Sequence, residues 1–120
     1  GHNPHAGRAL AVFLAERQTR APRPLALICG MLANKDAGGF FAALKDTGAT
    51  VFTVGFDGAA AEPAALAAVA RGHGLAATPA GSVGEAVDLA LRFGAGRVAI
   101  CGSLYLAGEV LGASRETWPE

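Results

Sequence analysis

Two apolar runs constrain this chain more than any other feature: Leu25–Cys29 (LALIC) and Val98–Cys101 (VAIC). Neither alternates apolar with polar residues. That pattern belongs to strands covered on both faces, which occur in parallel sheets flanked by helices. Two further short runs, Val51–Val54 and Leu75–Ala77, read as strands of the same sheet. Helical patterns lie between them at the spacing of right-handed crossovers. Pro4–Arg20 places Leu10, Phe13 and Leu14 on one stripe, and Asp36–Lys45 groups Phe40, Phe41 and Leu44 before Thr47-Gly48 stops it. Pro63–Arg71 carries Leu66, Val69 and Ala70, with Gly72 placed for a left-handed C-cap. Ser82 and Glu85 form a capping-box pattern at the start of Val83–Phe93, whose inner face takes Val87 and Leu91. A last helix is expected over Leu104–Leu111.

The order α-β-α-β-α-β-α-β-α defines an α/β three-layer sandwich with a mainly parallel, Rossmann-like sheet. Such a unit normally opens on a strand, and this chain opens on a helix. The expectation is a domain of residues 1–113 whose N-terminal edge strand is missing, followed by a polar tail at 114–120.

Composition narrows the function classes. Formal net charge is zero, so no nucleic-acid or membrane footprint is expected. No apolar run approaches the ~20 residues of a spanning helix, and no secretory leader pattern is visible. Cys29 and Cys101 sit inside apolar strands and read as buried small hydrophobes, which fits a cytoplasmic protein. The sequence lacks the G-x-x-x-x-G-K-[ST] phosphate loop, the G-x-G-x-x-G dinucleotide fingerprint and the G-x-S-x-G nucleophile elbow.

In open α/β sheets ligands bind at the carboxyl edge of the strands, and three segments fall there. His2-Asn3-Pro4-His5 carries a helix-start signal, with Asn3 as cap and Pro4 in the first turn; His2 would project over that helix N-terminus, where anions are favoured. A metal clip by His2 and His5 is disfavoured, because no Asp, Glu or Cys lies at ligand spacing nearby. Gly30-Met31-Leu32-Ala33-Asn34-Lys35-Asp36 places a lysine among short polar residues between a buried strand and a helix. There Asn34 or Asp36 serves as a cap, or Lys35 neutralises an anionic ligand. Gly102-Ser103 ends the last strand, and Ser103 is either a cap or a hydroxyl for a carboxylate. His73 lies at a helix C-terminus on the opposite edge, where dipole or loop packing is expected.

Taken in order, these segments resemble the C-terminal domain of the Mur ligase superfamily, in its folate branch of dihydrofolate synthases and folylpolyglutamate synthases. Gly1-His2-Asn3-Pro4 matches the end of that branch's D-x-[AG]-H-N-P motif, Gly30–Asp36 matches G-[MV]-x-x-[DN]-K-D, and Cys101-Gly102-Ser103 matches a strand-ending C-G-S. Peptidoglycan-type ligases tend to carry a glycine–lysine–glycine run at the last position.

The resemblance implies an ATP-dependent ligase of folate biosynthesis and one-carbon metabolism. It joins L-glutamate to dihydropteroate or a folate through an acyl phosphate. Glutamate binding falls to His2 and Ser103, and Asn3, Lys35 and Asp36 line the interdomain cleft on the phosphate side. No catalytic residue and no metal ligand is assigned in this chain. ATP and Mg2+ belong to the full-length enzyme, held mainly by a preceding ATPase domain. The family's motif aspartate would stand two positions before Gly1, so the fragment alone should be inactive. The resemblance also implies the strand order Val98–Cys101, Leu25–Cys29, Val51–Val54, Leu75–Ala77, all parallel. Val98–Cys101 is then an exposed edge that should recruit a partner strand or a second copy. The alternatives are a non-catalytic α/β binding or interaction module and a peptidoglycan-type ligase domain.

Overall fold

The computed structural model describes residues 4–33, 36–56 and 60–101. The elements run α1 (Pro4–Arg20), β1 (Leu25–Cys29), α2 (Ala37–Leu44), β2 (Thr50–Thr53), α3 (Pro63–Gly72), β3 (Ala76–Pro79), α4 (Val83–Arg92) and β4 (Arg97–Cys101). The four strands form one sheet in the order β3-β2-β1-β4. Every pairing is parallel, with Leu27 opposite Val51 on one side and Ala99 on the other. This is the α/β architecture read from the sequence and the strand order implied by the family resemblance.

The two faces of the sheet bury different sets. On one, Leu25, Leu27, Cys29, Val51 and Ala77 pack with Leu14 of α1, Phe40, Phe41 and Leu44 of α2, and Leu66, Ala67 and Ala70 of α3. On the other, Ala26, Ile28, Phe52, Val54, Val98 and Ile100 pack against Ala86 and Ala90 of α4. Central strand β1 is buried at all five positions, which explains its unbroken apolar run. β3 lies at an edge with three of its four residues exposed. That position tolerates Pro79, which has no N–H to give a ladder.

Several boundaries and faces depart from the expectation. β2 starts one residue earlier than Val51, and β3 runs Ala76–Pro79 rather than Leu75–Ala77. Asp36 and Lys45 flank α2 as its caps, and Phe93 caps α4 instead of extending it. Gly72 is the last residue of α3; the C-cap is His73, and the left-handed residue is Gly74, at φ +86°. The reversal falls two residues later because the His73 N–H still bonds the Ala70 carbonyl.

Two residues assigned to the core face solvent. Phe13 is 41% exposed and Leu91 55% exposed. In α1 the inward face is set by Gly7, where the backbone passes so close to α2 that a Cβ would stand 2.7 Å from the Phe40 carbonyl oxygen. Leu14, in line with Gly7 and buried, takes the core position. Phe13, turned off that line, lies under the Arg17 guanidinium at 4.7 Å. In α4 the inner positions go to Ala86 and Ala90, flanked by Val83 and Val87, and Leu91 is rotated away from them. The Ser82 cap is as expected, its hydroxyl accepting from the Glu85 N–H at 3.1 Å. The Leu104–Leu111 helix lies outside the described residues.

Candidate functional site

The strand order puts the exits of β1 and β4 side by side. The chain moves from β1 outward to β2 and β3, then α4 carries it back across the opposite face to β4. The order therefore reverses between β1 and β4, and the carboxyl edge at such a reversal is the ligand crevice of open α/β sheets. Cys29 and Cys101 are register partners at that edge, and the Gly30 N–H donates to the Cys101 carbonyl at 3.3 Å. In the sequence, Gly30 and Gly102 directly follow Cys29 and Cys101. The segments leading to Lys35-Asp36 and to Ser103 thus leave from adjacent strand ends.

The segment after β1 is anchored before it reaches α2. Leu32 bridges Ala60, the Ala61 N–H donates to the Met31 carbonyl at 2.9 Å, and Met31 is buried. The loops following β1 and β2 are therefore tied together beyond the sheet. α1 arrives at the same edge from the other direction. Its C-terminal end is held at the amino edge, where the Arg97 guanidinium donates to the Ala21 carbonyl at 3.0 Å and to the Gln18 side-chain oxygen. Its seventeen residues span about 25 Å, which carries its N-terminal end toward the carboxyl edge.

Of the site residues read from the sequence, Asp36 is described, and His2, Asn3, Lys35 and Ser103 lie outside the described residues. Asp36 caps α2: its Oδ1 accepts from the Gly39 N–H at 2.9 Å and its carbonyl from the Phe40 N–H at 3.2 Å. One carboxylate oxygen is therefore engaged with the Gly39 amide in the first turn of α2.

His73 is the residue whose neighbourhood the sequence did not disclose. It caps α3, and its Nε2 lies 3.6 Å from where a Gly38 Cβ would stand, in the first turn of α2. The same point is 3.7 Å from Asp36 Oδ1, so the imidazole and the cap carboxylate flank one glycine. No periodicity signals this contact, because it depends on how α2 and α3 pack.

At the strand ends, burial and a neighbouring thiol change how Cys101 holds its proton. The Cys101 thiol is pushed well above the usual thiol range, first by its hydrogen bond to Cys29, then by burial and by the charge on Cys29. Among the described residues no three His, Cys, Asp or Glu stand together as a metal site, and no helix is long and apolar enough to cross a membrane.

A parallel α/β sheet whose strand order reverses between β1 and β4 defines a domain of the doubly wound class. The chain belongs to the Mur ligase family: the family model described as "Mur ligase, glutamate ligase domain" matches residues 1–104. No curated protein matches it.

Among solved structures, it is similar to the bifunctional folylpolyglutamate synthase/dihydrofolate synthase of Yersinia pestis, at 27% identity and TM-score 0.75, over 96% of this chain and 27% of that one. It is similar to E. coli FolC in complex with DHPP and ADP at 27% identity and TM-score 0.73, over 97% and 28%. The Mycobacterium tuberculosis folylpolyglutamate synthase complexed with ADP shares the fold at TM-score 0.73 and 24% identity, over 100% and 29%. The chain thus spans less than a third of these proteins' length.

Proposed function

We propose that this chain is the glutamate-ligase domain, residues 1–113 with a tail at 114–120, of an ATP-dependent ligase that joins L-glutamate to dihydropteroate or a folate. The observation that carries the reading is the match of the family's glutamate ligase domain over residues 1–104, with the H-N-P, N-K-D and C-G-S segments distributed over it. Structures of similar proteins described with DHPP and ADP, and with Mn, AMPPNP and L-glutamate, support the choice of substrates. The C-G-S segment favours the folate branch over peptidoglycan-type ligases.

In this reading the domain's work is positioning and charge neutralisation at the carboxyl edge. His2 and Ser103 hold the incoming glutamate, and Asn3 and Lys35 face the phosphate side of the cleft. Asp36 serves that side by fixing the start of α2, which orients the Lys35 segment. ATP and the metal are assigned to the full-length protein, whose ATPase domain is the main partner, and the cytoplasm is the compartment where its substrates would be met.

Among the described strands, β4 has a neighbour on one side only. α1 lies on the same face as α2 and α3, so a right-handed crossover into β1 draws any strand before α1 from the far side of β4. We assign the free edge of β4 to such a strand, or to a second copy of the chain when that strand is lacking.

The test is phosphate release by the full-length protein given ATP, L-glutamate and either dihydropteroate or a reduced folate. Release that requires all three supports the reading. Release supported instead by a nucleotide-linked muramyl acceptor would replace the folate branch with the peptidoglycan one. No turnover with either acceptor, alongside intact ATP and glutamate binding, would favour a non-catalytic binding module.

A further inference from the structure

Cys29 and Cys101 are the two cysteines of the sequence, and the fold brings them into register on adjacent parallel strands. Both belong to the same face of the sheet, Cys29 within its core and Cys101 packed against it. Both are free, Cys29 fully buried and Cys101 partly exposed. Neighbouring strands lie about 4.8 Å apart, inside the Cα separation of about 4.4–6.8 Å that a disulfide accepts. β4 is also an edge strand, so a small shift toward β1 disturbs no neighbour on its outer side among the described strands.

We propose that Cys29 and Cys101 form a reversible dithiol/disulfide couple that ties the carboxyl ends of β1 and β4 to each other. With a peroxide as oxidant, Cys101, the less buried of the two residues, reacts first. Its thiolate attacks one peroxide oxygen, the O–O bond breaks, and a sulfenic acid and water form. The Cys29 sulfur then attacks the Cys101 sulfur, an S–S bond replaces the S–O bond, and a second water leaves. Two thiols and one peroxide give one disulfide and two waters; a small dithiol reverses the change by thiol–disulfide exchange. The hydrogen bond between the thiols and their burial hold Cys101 protonated, so closure is slow near neutrality and accelerates as pH rises. The bond would join the residues immediately before Gly30 and Gly102, where the two candidate ligand segments begin.

The experiment needs no activity, so its outcome is separate from that of the proposed function. Native full-length protein is treated with hydrogen peroxide at neutral and alkaline pH, quenched with an alkylating agent and mapped by peptide mass spectrometry. The expected result is a linked peptide pair joining Cys29 and Cys101, short of two hydrogen atoms, reversed by dithiothreitol. Its formation rate should rise about tenfold per pH unit below the Cys101 pKa. Neither C29S nor C101S should form it. Linkage that appears only after urea unfolding, or Cys101 oxidised to a sulfinic acid with Cys29 still free, would overturn the proposal.

Discussion

The two faces of the sheet are filled by opposite strategies. On the face covered by α1, α2 and α3, helices supply bulk: Leu14, Phe40, Phe41, Leu44 and Leu66 are all essentially inaccessible. On the α4 face the sheet supplies bulk through Ile28, Phe52, Val54 and Ile100, and the helix contributes alanines. A helix that presents alanine can settle close to the strands; Val83, Val87 and Leu89 then flank the contact and Leu91 turns to solvent. The lesson is that the apolar size of a helical residue does not say which way it points; the depth available beneath the helix does.

Truncating Phe41 should give the largest effect separating the faces. F41A removes a fully buried ring with its edge-on Phe40 contact at 5.5 Å between centroids, and should cost about 3–5 kcal/mol in urea unfolding. On the other face enlargement is the damaging change. A90L drives a side chain into the sheet and should cost about 1–3 kcal/mol, read as a lower urea midpoint with unchanged slope. G7A should fall in the same range, because the new methyl meets the Phe40 carbonyl at 2.7 Å, an oxygen fixed in α2. Near-equal losses for F41A and L91A would break the comparison, since L91A should stay within about 0.5 kcal/mol.

The smallest expected effect lies at the strand ends. The Cys101 pKa is raised in the folded state, so the folded protein holds the thiol proton more tightly than the unfolded chain. This contribution is complete below the unfolded value of about 8.5 and is lost as pH rises from there toward the folded pKa. Stability should therefore fall with alkaline pH in that window, and C101S should flatten the slope. An unchanged slope in C101S would assign the loss to other groups.

Much of the fold was legible because burial leaves a pattern. The unbroken LALIC run announced a strand covered on both sides, and Ser82 with Glu85 announced the α4 start, both as observed. Phe13 and Leu91 were misplaced because stripe counting treats every helix as having room for its largest residue. The contact of Gly7 with α2 and the alanine seat of α4 decide otherwise, and both are properties of pairs of elements. The site divides in the same way. Asp36 was readable as a cap from its position before a helix, whereas the approach of His73 to Gly38 depends on helix packing and left no mark in the chain. The roles of His2, Asn3, Lys35 and Ser103 come from motif resemblance rather than from periodicity or packing.

In the proposed function this domain places L-glutamate for an ATP-driven ligation at the carboxyl edge between β1 and β4. The most direct measurement is glutamate-dependent phosphate release by the full-length protein with ATP and dihydropteroate or a reduced folate, repeated with S103A and K35A. Release should depend on all three substrates, with a higher KM for glutamate in S103A, a lower kcat in K35A, and the fold unchanged by circular dichroism. Wild-type release indifferent to glutamate, or both variants indistinguishable from wild type, would contradict it.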